Sequence, residues 1–237
     1  MIKTVFFDLD GTLLPMDLDI FTKAYIASLS ASLSGSDGEV AKKIAEGTMA
    51  GVYAMVKNDG QKTNEEVFWA SFDKILPANL YRDSKEIEHY YRIEFQKVKD
   101  VCSFTPKASE IVKKAKELSF KVVLATNPLF PMTATESRMK WAGLDSGDFE
   151  YVSSYENSHF CKPSLGYYRE ILDKLSIRAD ECLMVGNDAD EDMIAKELGM
   201  QVFLLTDCLI NKSGKDLSLF PSGSFDALET YLVSLKV

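Results

Sequence analysis

The stretch MIKTVFFDLDGTLL, residues Met1–Leu14, decides the fold class of this protein. Between Ile2 and Phe7 it contains a short apolar run rich in β-branched and aromatic residues, which predicts a buried parallel strand. Asp8 and Asp10 follow directly, and ligands of open parallel α/β sheets bind beyond the carboxyl ends of the strands. Two carboxylates at positions i and i+2 repel each other unless a cation lies between them or one stays protonated. We therefore interpret the pair as a candidate metal site with one nucleophile and one acid.

The two residues after the second aspartate suit a binding loop. Gly11 allows the chain to turn sharply, and Thr12 places a hydroxyl group beside the acids. The alternative interpretation is a polar strand end whose acids face water, so the motif needs support from the rest of the chain.

The overall composition is that of a globular protein with one core, or a core and a smaller subdomain. The chain has 237 residues, of which 46% are hydrophobic and 27% charged. A net charge of -9 argues against nucleic acid or an anionic membrane surface as a partner. An anionic substrate would require local positive groups or a metal to overcome this unfavourable field.

Cysteine usage and hydropathy predict a cytoplasmic protein. The four cysteines are scattered without a CxxC pair, as expected for free thiols in a reducing compartment. No apolar run reaches membrane-spanning length, and Met1 leads into the predicted strand instead of a signal peptide. The sequence gives no indication of the oligomeric state.

Residues 17 to about 100 show helical patterns and no convincing strand. Thr63 with Glu66 has the spacing of a capping box, and Asp83 is expected to open a further helix. This helical segment is far longer than an ordinary connection between two strands, which predicts a helical cap domain of residues 16–100. The catalytic core would then comprise residues 1–15 and 101–237, with the cap as a lid over the acids. The alternative is a helical layer packed on the sheet without any gating role.

Beyond residue 100 the pattern alternates between helices and short apolar runs, which predicts βαβ units and a mainly parallel α/β sheet. The predicted strands are 121–125, 149–153, 182–185 and 202–205, and the predicted helices include 165–175, 188–198 and 225–235.

Polar residues follow several of these strands. Thr126 closes one strand, Lys162 precedes a proline in a loop, and an acidic cluster from Asn187 to Asp192 closes another strand. Each feature alone has an ordinary explanation. Thr126 could cap a helix, the lysine could be a solvated loop charge, and the acids could interact with a helix dipole. Their joint placement at one edge of the sheet favours an active site.

Together these motifs resemble those of the haloacid dehalogenase superfamily, most of whose members are magnesium-dependent phosphatases. DLDGT at Asp8–Thr12 matches the first motif, and Thr126 with Asn127 fits the second. Lys162 with Pro163 resembles the third motif, and Gly186–Asp192 resembles the fourth, GDxxxxD. The resemblance implies a Rossmann-like parallel sheet with an inserted helical cap, Mg²⁺ as cofactor and a small-molecule phosphomonoester as substrate.

The resemblance also implies a role for each matched residue. Asp8 would be the nucleophile that forms an aspartyl-phosphate, and Asp10 would be the general acid and base. Lys162 would neutralise charge on the phosphate and on the nucleophile. The implied phosphate-binding residues are Gly11, Thr12, Thr126, Asn127 and Lys162. The implied metal ligands are Asp8, Asp10 (through its main-chain carbonyl), Asn187, Asp188 and Asp192.

One position departs from the family pattern. Asn187 stands where the fourth motif usually has an aspartate, and Asp188 follows it. An amide oxygen can bind Mg²⁺ but carries no charge, so Asp188 could take over part of this duty. Which of the two binds the metal is open. Asp192 would either bind a metal-coordinated water or hold Lys162.

Other functions remain possible on the same core. A haloacid dehalogenase needs no acid at position 10, so Asp10 argues against that reaction. A phosphomutase or a non-catalytic binding module would share many of these residues. His89 and His159 are predicted to be structural or solvated.

Overall fold

Six parallel strands form one sheet in the computed structural model, which describes residues 1–236. The strands are Thr4–Phe7 (β1), Lys121–Leu124 (β2), Tyr151–Val152 (β3), Cys182–Gly186 (β4), Gln201–Leu205 (β5) and Ser222–Gly223 (β6). Their order in the sheet is β3-β2-β1-β4-β5-β6. The predicted α/β class with a parallel sheet is therefore confirmed.

The central position of β1 explains why its carboxyl end is the place where polar residues meet. Phe7 is in register with Leu124 of β2 and with Val185 of β4. The residues that follow these three strands therefore lie at one edge of the sheet, where ligands of parallel sheets bind.

Helices cover both faces of the sheet. The α-helices are Leu18–Ser34 (α1), Gly38–Val56 (α2), Asn64–Phe72 (α3), Lys85–His89 (α4), Lys107–Glu117 (α5), Met132–Trp141 (α6), Leu165–Leu175 (α7) and Phe225–Ser234 (α8). Alternate residues of β1 belong to two different hydrophobic clusters: Val5 and Phe7 to one, Phe6 to the other. This alternation places a packed layer on each face, as the period of a strand requires.

The segment between β1 and β2 is helical, as predicted. The capping box of Thr63 and Glu66 is present at the start of α3. Helix α4 continues as a π turn and a 3₁₀ segment to Val101. Its N-cap is Ser84, whose hydroxyl accepts a hydrogen bond from the Ile87 amide at 3.2 Å, so the prediction of Asp83 is wrong by one residue.

Two predictions for the second half of the chain need correction. Residues 188–198 are not one helix, since a turn precedes a 3₁₀ helix at Met193–Leu198. In this turn Asp192 Oδ2 accepts the Asp188 amide and Asp188 Oδ1 accepts the Glu191 amide, so side chains hold the main chain before the 3₁₀ helix begins. Strand β6 was not predicted, because its two residues have no apolar pattern.

Residues of α1 lie in the same hydrophobic cluster as the sheet. Phe21 and Tyr25 belong to the cluster that contains Phe7. The helical segment is consistent with a cap, and the division into residues 16–100 and a core of 1–15 and 101–237 stays a prediction. Within residues 1–236 no helix has both the length and the apolar character needed to cross a bilayer.

Candidate active site

A cavity of about 240 Å³ lies at the carboxyl edge of the sheet and contains most of the predicted site residues. Segments that follow β1, β2, β4 and β5 line it together with α1. The lining residues are Asp8, Asp10, Asn127, Leu129, Phe130, Asn187, Asp188, Glu191, Asp192 and Lys212 from those segments, and Leu18, Asp19, Phe21 and Thr22 from α1.

Asp8 is held in one orientation at the end of β1. Its main-chain amide donates to the Val185 carbonyl at 2.9 Å, which continues the pairing between β1 and β4. One carboxylate oxygen, Oδ1, accepts from Lys162 Nζ at 2.9 Å, and Oδ2 accepts from Thr12 Oγ1 at 2.9 Å. The Asp8 side chain is 9% exposed. Asp8 is therefore an oriented carboxylate in a site that is largely shielded from water.

Lys162 is buried between two carboxylates. Its Nζ lies 2.9 Å from Asp8 Oδ1 and 2.7 Å from Asp192 Oδ1. Burial opposes the charged form, but the two carboxylates outweigh this effect and raise the pKa of Lys162 well above its ordinary value. Lys162 thus stays protonated beside Asp8, as the sequence predicts. Asp192 holds Lys162, which is one of the two roles that the sequence allowed.

Asp10 has one paired and one unpaired oxygen. Oδ2 accepts a hydrogen bond from Arg138 Nη1, whereas Oδ1 is buried and has no hydrogen-bond partner. Burial raises the pKa of Asp10, and the Arg138 guanidinium opposes that shift. Arg138 was not among the predicted site residues. A signal was present in the sequence, because the buried residues Ala134 of α6 and Ala142 directly after α6 stand four residues before and after Arg138, on the same side of the helix.

Thr126 presents a hydroxyl group without a partner. Its side chain is 1% exposed, and no hydrogen bond satisfies Oγ1. Its carbonyl accepts from Ser153 Oγ at 2.7 Å and from the Tyr167 hydroxyl at 2.8 Å, so the backbone is firmly placed. An unsatisfied buried hydroxyl is unfavourable by about 1–3 kcal/mol. Thr126 Oγ1 is therefore placed to donate a hydrogen bond to a ligand oxygen.

Asn127 and Gly11 are also at the site, where both lie against neighbouring side chains. Asn127 Nδ2 donates to Glu191 Oε2 at 2.9 Å, and its Oδ1 accepts from the Lys162 amide at 3.3 Å. Gly11 has φ +82°, and a Cβ there would lie 2.4 Å from Asn187 Nδ2. Glycine is thus required both for the turn and for the close approach of Asn187.

The side-chain oxygen of Asn187 lies close to the Asp8 carboxylate. Its Oδ1 and Asp8 Oδ2 both lie 2.9 Å from Thr12 Oγ1, and its Nδ2 donates to the Cys208 carbonyl at 2.7 Å. By contrast, Asp188 Oδ1 accepts the amides of Asp190 and Glu191 at 2.7 and 2.9 Å, which stabilises the turn. Asn187 Oδ1 therefore lies next to Asp8, whereas Asp188 Oδ1 is engaged by the main chain of the turn.

The donor set suits a hard cation. Within residues 1–236 no three His, Cys, Asp or Glu side chains have the spacing of a metal site, but the expected ligands include an amide and a main-chain carbonyl. Six acidic residues line the cavity, and Lys212 is the basic residue among the described lining. Such an excess of carboxylate and amide oxygens fits Mg²⁺, which prefers oxygen ligands.

The model of the haloacid dehalogenase-like hydrolase family matches residues 2–199. The chain belongs to this family. The match includes all four predicted motifs, so the resemblance deduced from the sequence is confirmed. This haloacid dehalogenase-like (HAD) protein is therefore a hydrolase by family, with Asp8 and Asp10 in its first motif. No curated protein matches the chain.

Solved structures share the fold of this HAD-like hydrolase at low sequence identity. A HAD phosphatase from Thermococcus onnurineus is 19% identical over 98% of both chains, with a TM-score of 0.59. YfnB from Bacillus subtilis, described as a HAD-hydrolase bound to magnesium, is 16% identical over 98% of both chains, with a TM-score of 0.55. L-2-haloacid dehalogenase from Xanthobacter autotrophicus is 17% identical over 99% of this chain and 83% of its own, with a TM-score of 0.52. These neighbours establish the fold and include more than one reaction.

Glu191 belongs to the acidic cluster that the sequence places after a strand, although the sequence gives it no role of its own, and its surroundings give a prediction. Burial raises the pKa of Glu191 from 4.5 to about 7, against the attraction of Lys162. Between these two values the unfolded chain loses the proton and the folded chain keeps it. The free energy of unfolding therefore falls as the pH rises from 4.5 to 7, by at most about 3 kcal/mol.

Glu191→Gln removes this pH dependence, because the amide does not ionise. We measure the free energy of unfolding of the metal-free protein with urea, in EDTA, at pH 5 and at pH 8. We expect it to decrease less between these pH values for the variant than for the wild type. An equal decrease in the two proteins would contradict the raised pKa.

Proposed function

We propose that this HAD-like hydrolase is a Mg²⁺-dependent phosphatase that forms an aspartyl-phosphate on Asp8. The observation that carries the proposal is the pair of oriented carboxylates: Asp8 paired with buried Lys162, and Asp10 with an oxygen free to exchange a proton. The unpaired hydroxyl of Thr126 supports the same conclusion, since a phosphate oxygen would satisfy it.

The chain's own residues account for both halves of the reaction. In the first step a carboxylate oxygen of Asp8 attacks phosphorus, the ester P–O bond breaks, and Asp10 gives its proton to the departing oxygen. In the second step Asp10 takes a proton from water, which attacks phosphorus and releases inorganic phosphate and the Asp8 carboxylate. Lys162 stays protonated and neutralises charge beside the nucleophile throughout.

A bound Mg²⁺ would supply further neutralisation of the phosphate charge. Asp8, the main-chain carbonyl of Asp10 and the side-chain oxygen of Asn187 would hold it, with water molecules completing the coordination. The acidic lining of the cavity favours such a cation and disfavours an anionic substrate without it.

The substrate we propose is a small phosphorylated metabolite. A cavity of about 240 Å³ leaves room for a phosphate and a modest leaving group. Leu18, Phe21 and Thr22 of α1 face that space, so the helical segment would contact the leaving group. The net charge of -9 makes a nucleic acid an unsuitable substrate.

Dehalogenation is the alternative reaction on this fold. The neighbour from Xanthobacter autotrophicus is a dehalogenase by its description, but Asp10 supports phosphoryl transfer, in which a leaving oxygen needs a proton.

A direct test compares release of phosphate from p-nitrophenyl phosphate with release of chloride from 2-chloropropionate. We expect phosphate release with Mg²⁺, its loss after EDTA treatment, and no chloride release. Chloride release without phosphate release would overturn the proposal.

The amide at position 187 predicts weak metal binding. Asn187→Asp adds a charge beside Asp8, so we expect the apparent affinity for Mg²⁺ to rise by about tenfold, or about 1.4 kcal/mol at that ratio. Titration of phosphatase activity with MgCl₂ measures this. An unchanged or lower affinity would refute the assignment of Asn187 as a metal ligand.

A further inference from the structure

Arg138 is the largest fully buried side chain, and each part of its guanidinium is held in place. Its Nε donates to the Ala134 carbonyl at 3.3 Å and its Nη2 donates to Thr135 Oγ1 at 3.2 Å. The guanidinium carbon lies 4.2 Å from the centroid of the Phe130 ring. The remaining nitrogen, Nη1, donates to Asp10 Oδ2.

An ion pair with a purely structural role would not need these additional contacts to the guanidinium. Arginine keeps its charge when buried, and its planar fork is fixed by the two contacts within α6. A lysine would present one rotatable ammonium group instead. The result is a rigid donor, set up by α6 itself, that is aimed at one oxygen of Asp10.

Because of Arg138, the two carboxyl oxygens of Asp10 have different surroundings. Oδ2 is occupied by Arg138, and Oδ1 is buried without a partner although Asp10 lines the cavity. A buried carboxyl oxygen without any hydrogen bond is unfavourable unless a ligand satisfies it. Oδ1 is therefore the oxygen that is left for the reacting groups.

We propose that Arg138 is a positioning residue that fixes the Asp10 carboxyl group, so that Oδ1 alone exchanges the proton. The proposal rests on the proposed phosphatase function. In the first step the proton passes from Oδ1 to the ester oxygen as the P–O bond breaks, and the carboxylate that remains is paired with Arg138. In the second step Oδ1 takes a proton from the attacking water.

The aromatic ring that packs against Arg138 also contacts α1. The Phe130 ring packs against Phe21 of α1, with ring centroids 5.9 Å apart, and against Tyr25, at 5.0 Å. Phe21 lines the cavity as well. Phe130 thus packs both against the Arg138 guanidinium and against the helix that lines the cavity.

The test uses two substrates whose need for a general acid differs. An alkyl phosphate such as β-glycerophosphate has a poor leaving group, whereas p-nitrophenyl phosphate has a good one that departs with little help. We compare kcat/KM, which reports the steps up to phosphorylation of Asp8. For Arg138→Met we expect a loss of about 100-fold with the alkyl phosphate and less than about tenfold with the aryl phosphate.

Two further variants separate positioning from folding. Arg138→Lys keeps the buried charge, so it should fold even if Arg138→Met does not, and it should retain most of the selective loss because it lacks the fork. Met139→Ala perturbs the same helix at another buried position. It should lower both kcat/KM values by the same factor. Circular dichroism shows which variants are folded.

A double variant tests whether Arg138 acts through Asp10. Once Asp10→Asn has removed the acid, adding Arg138→Met should cause little further loss with the alkyl phosphate. Additive losses, equal losses with the two substrates, or a wild-type substrate ratio in folded Arg138→Lys would overturn the proposal. If the wild-type protein hydrolyses neither phosphate, the proposed function itself fails; if it hydrolyses both, only the role of Arg138 is in question.

Discussion

Replacing Asp8 with asparagine (Asp8→Asn) abolishes phosphate release, with an expected decrease in kcat of about 10⁴-fold or more. The amide is nearly isosteric, but it cannot attack phosphorus as a carboxylate does. Lys162 and Thr12 hold the present carboxylate from both oxygens, so the orientation is already fixed and the loss reflects chemistry. Steady-state hydrolysis of p-nitrophenyl phosphate with saturating Mg²⁺ measures it.

The matched control is Asp180→Asn, the same chemical change at a surface residue that pairs with Arg178. It should leave kcat within about twofold of the wild type, since surface substitutions rarely reach a distant site. If Asp8→Asn retained more than a hundredth of the wild-type activity, another group would be the nucleophile.

The second large effect is expected for Lys162→Met, in both activity and stability. The substitution leaves the carboxylates of Asp8 and Asp192 buried side by side without the cation between them. Removing one partner of a buried ion pair destabilises a protein by about 3–5 kcal/mol. Loss of the charge beside the phosphate should also lower kcat by about 10²–10³-fold. Urea unfolding and p-nitrophenyl phosphate hydrolysis measure the two effects.

A compensating variant separates the two effects of Lys162→Met. Adding Asp192→Asn removes one of the stranded carboxylates and should recover part of the stability but none of the activity. Arg178→Met, which breaks an exposed pair, is the control for loss of a cation and should hardly shift the unfolding midpoint. A Lys162→Met protein as stable as the wild type would contradict the buried pairing.

The parts of the fold that could be predicted are those with a strong local signal. Strand β1 is a continuous apolar run, and the predicted helix 165–175 coincides with α7, whose apolar face is buried. The capping box at Thr63 was likewise visible from its spacing. In each case the local pattern and the tertiary packing favour the same structure.

The helix prediction for residues 188–198 failed where contacts between residues far apart in sequence decide the local structure. The acidic residues after β4 look like the first turn of a helix, and the dipole argument applies to them. Instead, Asp188 accepts hydrogen bonds from amides of the turn. Asp192 accepts a hydrogen bond from Lys162, which lies 30 residues away in sequence. No local pattern could reveal that partner, so the helix prediction failed at this position.

The candidate site shows the same division. Asp8, Asp10, Thr126 and Lys162 follow strands of a parallel sheet, so topology alone brings them together. Arg138 contacts Asp10 from 128 residues away, and within its own helix it resembles any surface arginine. Its position on an apolar stripe was the one local sign that it is buried.

The covalent intermediate on Asp8 tests the central claim most directly. The protein is mixed with p-nitrophenyl phosphate and Mg²⁺, quenched in acid within milliseconds, and digested for mass spectrometry. We expect a phosphoryl group on the peptide that contains Asp8, on Asp8 itself, and none in Asp8→Asn. Turnover without a phosphorylated peptide, or with the phosphoryl group on another residue, would contradict the account.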